Sequence, residues 1–185
     1  MIQTLQGITP QIGQGVFVAE TAAVIGDVVI GDESSVWYSA VIRGDVNRIR
    51  IGQRVSIQDC TCLHCSEGEA DIEIGDDVTV GHNVCLHGCH IASGVLIGMG
   101  STVLDCAYIE TGAIVAAGAL VLAHTHIGAG ELWGGVPAKC IKHLTPADIE
   151  RLITPLPKHY QYWADAYLKQ QAIDHPADNS ALQEG

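Results

Sequence analysis

Aliphatic residues recur in this chain at a fixed interval of six. Ile12, Val18, Val24, Ile30, Val36 and Ile42 open the series. The register slips by three and resumes at Ile51, Ile57 and Leu63, then slips again and resumes at Ile74, Val80 and Leu86. A last run takes in Ile91, Ile97, Val103, Ile109, Val115, Val121, Ile127 and Trp133. Glycine often follows the aliphatic residue, as at Gly31, Gly52, Gly75, Gly81 and Gly98, and a small or β-branched residue stands four after it, as at Ala22, Val28, Ser34, Ala40, Val55, Val78, Ser101 and Ala107. A period of six matches neither the helical repeat nor long alternation. It fits short strands joined by tight corners and wound as a parallel solenoid. Three hexads make one triangular coil, the aliphatic residue points inward, and the small residue after it lets the chain turn. Coils stack about 4.8 Å apart, so equivalent positions on successive coils lie side by side. An irregular β-sandwich would not hold one period from Ile12 to Trp133.

The prism is expected to end near Trp133-Gly134-Gly135-Val136-Pro137, and a helix to start at Thr145-Pro146-Ala147-Asp148. Thr145 suits the N-cap, Pro146 the first helical position and Asp148 the first turn. Ile149, Leu152 and Ile153 form its apolar face, and Thr154-Pro155-Leu156-Pro157 interrupts it. A second helix is expected from about Lys158 to Gln171, packing Tyr160, Trp163, Ala164, Tyr167 and Leu168 on the prism. The division is then a β-helix domain over 1–140, a C-terminal helical segment over 141–172 and a flexible tail over 173–185.

The net charge of −12, with 9 Lys and Arg against 21 Asp and Glu and no basic cluster, speaks against a nucleic-acid partner. No run of about twenty apolar residues predicts a membrane helix, and the first residues lack the pattern of a signal peptide. Seven cysteines, an odd number, suit reduced thiols in a cytoplasmic protein. The Cys60-Cys62-Cys65 group lacks zinc-finger spacing and reads as small side chains filling a narrow interior.

Nine histidines are many for this length. His124, His126, His143, His159 and His175 fall at corners or in the C-terminal region and read as surface or structural residues. His64 and His87 each follow an inward leucine, Leu63 and Leu86, and are 23 residues apart: one coil of 18 plus a five-residue slip. They are expected on one face of neighbouring coils, close enough to share a metal. His82 sits one face earlier, so the prism separates it from that ion within one chain; a three-fold assembly would bring His82 of one chain to His64 and His87 of the next. Three imidazoles leave a coordination position for water, the pattern of a catalytic site. His90 reads as a supporting residue. The segment 64–73 makes an outward loop with Glu67, Glu69, Asp71 and Glu73, whose carboxylates either relay protons or simply keep the loop solvated.

With these features the sequence resembles the γ-class carbonic anhydrase family, its bacterial hexapeptide-repeat branch in particular. The resemblance rests on Arg43-Gly44-Asp45, Ile57-Gln58-Asp59, Leu63-His64 and the run Gly81-His82-Asn83-Val84-Cys85-Leu86-His87-Gly88-Cys89, supported by Ile97-Gly98-Met99-Gly100 and Gly135-Val136-Pro137-Ala138-Lys139. It implies a mainly β fold, a left-handed parallel β-helix with a C-terminal α-helix packed along it, and a homotrimer with a metal site at each interface. His64, His82 and His87 match the metal ligands, Gln58 a residue that orients the reacting water or hydroxide, and Arg43, Asp45 and Asp59 an interface network beside the metal. Tyr160 matches a C-terminal tyrosine near the site. The implied reaction is hydration of CO2 to bicarbonate through a metal-bound hydroxide, with Zn2+ as the metal and Fe2+ or Co2+ able to take the same ligands. The archaeal prototype has a carboxylate where Val46 stands, Asn where Ser56 stands, and a longer acidic loop carrying a proton-shuttle glutamate with which neither Glu67 nor Glu69 aligns. Three alternatives share parts of this pattern: a metal-dependent acyl-CoA thioesterase, a hexapeptide acyltransferase using a histidine base without metal, and a non-catalytic trimer locked by metal.

Overall fold

A computed structural model describes residues 1–174. It is a mainly β parallel solenoid of about seven turns with helix at its C-terminal end. Most strands are only two or three residues long, because each hexad contributes one inward aliphatic side chain before the chain turns. The inward positions are the hexad positions: Val24, Val36, Ile42, Leu63, Val80, Leu86, Ile97, Val103, Ile109, Val115, Val121 and Ile127 are all fully buried. The residues four further on, Ala22, Val28, Ser34, Ala40, Val55, Val78, Ser101 and Ala107, are buried as well and close each corner from inside. Equivalent residues pair in parallel ladders, as in the rung Ser35, Ser56, Thr79 and Leu96. One sheet holds 8 strands and forms one face; another holds 12 and forms the other two. The two faces are joined because Ala23–Ile30 and Val41–Ile51 run unbroken past a corner, and the second of these absorbs the three-residue slip.

The corners work differently from the expectation. The chain turns at the third residue after the inward one, which is left-handed whatever its identity: Glu33, Ser39, Arg54, Cys60, Asp77, Asn83, Cys106 and His124 there all have φ between 54° and 60°. The glycine directly after the aliphatic residue has another task. A Cβ on Gly31 would lie 2.6 Å from the carbonyl carbon of Gly52 on the next coil, and one on Gly98 would lie 2.5 Å from the backbone nitrogen of Ala117. These glycines let coils approach each other; they do not bend the chain.

The prism ends in an antiparallel hairpin, Glu131–Gly135 with Ala138–His143, which the period did not foretell. Helix α1, Pro146–Leu152, starts as expected at Thr145, whose side chain and that of Asp148 form a reciprocal capping box. Helix α2 spans Pro155–Asp174, three residues earlier than predicted and two residues into the segment assigned to a tail. The helical stretch is interrupted here as expected, at Ile153 and Thr154, and Pro155 and Pro157 then open α2, since first-turn N–H groups have no intrahelical partner to lose. The rest of the predicted tail, and His175, lie outside the described residues. The ring of Tyr167 packs 5.2 Å from Phe17 and 5.4 Å from Trp37, and Tyr160 and Leu168 also join the core, whereas Trp163 is 45 % exposed and makes no such contact. Of the cysteines read as interior filling, Cys65 is buried but Cys60 and Cys62 are exposed.

Candidate metal centre

Arg43, His64 and His87 form one row across three adjacent strands, Val41–Ile51, Cys62–His64 and Cys85–His87, with His64 in register with both neighbours. Each is outward because the residue before it, Ile42, Leu63 or Leu86, is inward. His64 Nδ1 lies 3.2 Å from His87 Nε2. The other ring nitrogens are held by carboxylates: His64 Nε2 by Asp45 Oδ1 at 3.0 Å and His87 Nδ1 by Asp105 Oδ1 at 2.8 Å. A carboxylate only accepts, so in the neutral rings the hydrogens sit on those outer nitrogens. Two lone pairs then face each other across 3.2 Å. That arrangement is repulsive unless a cation stands between them. A tetrahedral ion with bonds of about 2.0–2.1 Å separates two nitrogen donors by about 3.3–3.4 Å, so the pair fits a shared transition metal.

His82 lies at the corner after the strand Thr79–Val80, one face away. Asp59 Oδ2 holds its Nδ1 at 2.7 Å, which leaves Nε2 without a partner among the described residues on a side chain that is 46 % exposed. All three histidines therefore share one design, an imidazole oriented by a carboxylate behind it. Within the single chain only two of the three face each other.

Of the other expected site residues, Arg43 belongs to this row and Asp45 lies beside it, whereas Gln58 and Asp59 follow the strand Ser56–Ile57 one face away, where Asp59 holds His82. Arg43 donates to Asp45 Oδ2, the oxygen that His64 does not use. Burial pulls the Asp45 carboxyl upward in pKa, but the hydrogen bonds from Arg43 and His64 outweigh it and hold the group below the usual carboxylate range. Gln58 is buried and lies against the Tyr160 hydroxyl; burial raises that hydroxyl's pKa, Asp59 adds to the rise, and Gln58 offsets part of it. Two members escaped the sequence reading. Asp105 holds His87, and Ser66 donates to the other Asp105 oxygen at 3.3 Å, tying the start of the acidic loop to the centre. Asp105 stands 18 residues, one coil, after His87, which is the signal that could have found it. His90 does not enter the centre: its Nε2 pairs with Asp71 at 2.8 Å, and Asp71 pairs in turn with Arg48.

A surface groove of ≈ 500 Å³ lies elsewhere, lined by Arg50, Glu73, His90 and Tyr108 among others, and contains none of the candidate ligands.

No protein-family model matches the chain. Individual relatives do. Gamma carbonic anhydrase 2, mitochondrial, of Arabidopsis thaliana is 47 % identical over 146 residues, 76 % of this chain and 52 % of that protein, so the chain spans about half the length of this relative. The carbonic anhydrase of Geobacillus kaustophilus is 47 % identical over 152 residues, covering 82 % of this chain and 83 % of that one. Among solved structures, a hexapeptide transferase family protein from Anaplasma phagocytophilum superimposes with a TM-score of 0.85 at 37 % identity, over 90 % of this chain and 97 % of that chain. Identity at this level over three quarters or more of the chain goes beyond a shared fold, and the chain belongs to the gamma carbonic anhydrase family.

Proposed function

We propose that this protein is a metal-dependent carbonic anhydrase, hydrating CO2 to bicarbonate and a proton at sites shared between the protomers of a homotrimer. The observation that carries the reading is the facing pair His64 Nδ1 and His87 Nε2, 3.2 Å apart and each backed by a carboxylate. His64 and His87 of one protomer and His82 of its neighbour would hold the ion, Zn2+ by the donor set, with Fe2+ or Co2+ accepted by the same imidazoles. Once bound, such an ion would supply a Lewis acid able to bring the pKa of a water to about 7.

The chain's own residues then orient and enclose. Asp45, Asp105 and Asp59 fix the ring and tautomer of His64, His87 and His82. Arg43 neutralises Asp45 and keeps its second oxygen from turning away. Gln58, with an amide that both donates and accepts, is suited to orient a reacting water or hydroxide, and the Tyr160 hydroxyl lies beside it. The acidic loop begins at Ser66, already tied to the centre through Asp105, and exposes Glu67 and Glu69 as routes for the released proton.

The surface around the histidines supports assembly. The row before them on the same face reads Val41, Cys62, Cys85, Thr102 and Leu120, with Leu122 45 % exposed beside it. An apolar outward row of this kind suits contact with another copy. Metal analysis after anaerobic purification, followed by a CO2-hydration assay on the same sample, tests the function. Bound metal and catalysis are expected, and His82→Ala should lose the catalysis together with the metal of the histidine centre; metal at that centre without hydration above the uncatalysed rate would overturn the activity.

A further inference from the structure

A second set of metal-type donors lies on the hairpin that closes the prism. We propose that Glu131, Cys140 and His143 form a separate binding site for a divalent transition cation of borderline softness, Zn2+ or Co2+. None of the three belongs to the histidine centre.

The backbone brings them together by an irregularity. Cys140 and His143 are three residues apart on one strand, and an odd separation puts side chains on opposite faces of a regular ladder. Here Leu132 pairs with Lys142 but Trp133 pairs with Cys140, so Ile141 is bulged out and unpaired. The bulge returns Cys140 to the face that His143 shares with its partner Glu131. Their donor atoms, a carboxylate oxygen, Sγ and an imidazole nitrogen, all lie within 4.8 Å of one another.

Glu131 is oriented for the task. Its Oε2 accepts from the Gly128 N–H at 2.9 Å and from the Trp133 indole N–H at 2.7 Å. Its Oε1 stands 3.8 Å from His143 Nε2, too far for a hydrogen bond. A tetrahedral cation with bonds of about 2.0–2.3 Å separates its donors by about 3.3–3.8 Å. For an oxygen and a nitrogen donor the separation is about 3.3–3.5 Å, so Glu131 Oε1 and His143, 3.8 Å apart, need to close by only a few tenths of an ångström, and the exposed Cys140 side chain closes the remainder by rotation. One carboxylate, one thiolate and one imidazole select Zn2+ or Co2+ over hard cations such as Mg2+ or Ca2+. On binding, the Cys140 thiol gives its proton to solvent and its sulfur lone pair to the cation, and water fills the open position. The cation would tie Ala138–His143 to Glu131–Gly135 where the chain leaves the prism for α1.

The test uses the full-length chain as the His82→Ala variant, which lacks the complete histidine centre, titrated anaerobically with Co2+. A thiolate-to-cobalt charge-transfer band in the near ultraviolet is expected at one Co2+ per chain, since imidazoles alone cannot produce it. Adding Cys140→Ser should abolish the band, and adding His143→Ala should weaken Co2+ binding by more than about tenfold. All three variants alter exposed or corner side chains, and an unchanged elution volume and circular dichroism spectrum will show that they fold. Absence of the band overturns the proposal. So does a band that survives Cys140→Ser, which would put the thiolate at another exposed cysteine such as Cys60, Cys62 or Cys106, or binding that His143→Ala leaves unchanged.

Discussion

Gly98→Ala and Gly100→Ala change two glycines of one corner, yet the packing makes their costs unequal. A Cβ on Gly98 would meet three backbone atoms of the next coil, at 2.5 Å from Ala117 N and 2.7 Å from both Ala116 C and Val115 O. Ordinary carbon contacts begin near 3.5 Å, so the coils must separate locally by about 1 Å, and no rotamer can relieve the clash. Overpacking of this kind costs about 1–3 kcal/mol. The same displacement stretches the Gly98 N–H bond to Val115 O, now 2.7 Å, for about 1 kcal/mol more. The total is about 2–4 kcal/mol. At Gly100 a Cβ meets nothing within 4 Å, and the cost is that of a left-handed φ of 67°, about 1 kcal/mol. For a chain of this size these values lower Tm by roughly 4–16 °C and roughly 2–4 °C respectively. Thermal melts of metal-free protein at matched concentration provide the assay, since metal and assembly both move Tm. Equal losses, or a larger loss at Gly100, would refute the claim that the glycine after each inward residue sets the coil spacing.

Leu86→Ala empties an inward position stacked between Leu63 and Val103; denaturant unfolding should show a loss of about 3–5 kcal/mol. Asp45→Asn and Asp105→Asn, measured separately, should each weaken Zn2+ binding by about 10–100-fold in competition with a chromophoric chelator, because each releases one ring from its orienting carboxylate. The Asp148 carboxyl, held down to about 2 by the Thr145 backbone N–H and hydroxyl and by Arg151, has a folded pKa below its unfolded value. Its contribution is therefore complete above the unfolded pKa of about 4 and is lost as pH falls from there toward 2. Asp148→Asn should flatten acid unfolding in that window, followed by circular dichroism, and leave the curve above pH 5 parallel to wild type.

Much of this was legible because a solenoid turns sequence distance into spatial neighbourhood. The inward positions follow from the hexad alone, and the adjacency of His64 and His87 follows from one coil plus a five-residue slip. The same arithmetic reaches Asp105 from His87, but a carboxylate becomes meaningful only when its side chain is seen to hold a ring. The corner rule was hidden because eight of the left-handed corner residues, Glu33 and Arg54 among them, are not glycine, while the conspicuous glycines serve the approach of coils. The closing hairpin broke the period and carried a bulge at Ile141, so no spacing rule could place Cys140 beside His143. At α2, Trp163 shares the helical spacing of Tyr160 and Tyr167 but falls at the edge of the packed face, where spacing alone does not separate contact from exposure.

Under the proposed function, each centre takes His64 and His87 from one protomer and His82 from another. Mixing His82→Ala with His64→Ala protein, after co-refolding at equal amounts, tests it directly through metal content and CO2 hydration. Neither variant alone has an intact centre, but every mixed trimer regains one, where the His82→Ala protomer supplies His64 and His87 and its neighbour supplies His82. Random assembly then restores roughly a quarter of the wild-type sites. Restoration of that size in CO2 hydration, with a matching gain in metal over the two components, is the predicted result, and a mixture as inactive as its components and with no more metal than they hold would contradict the shared site.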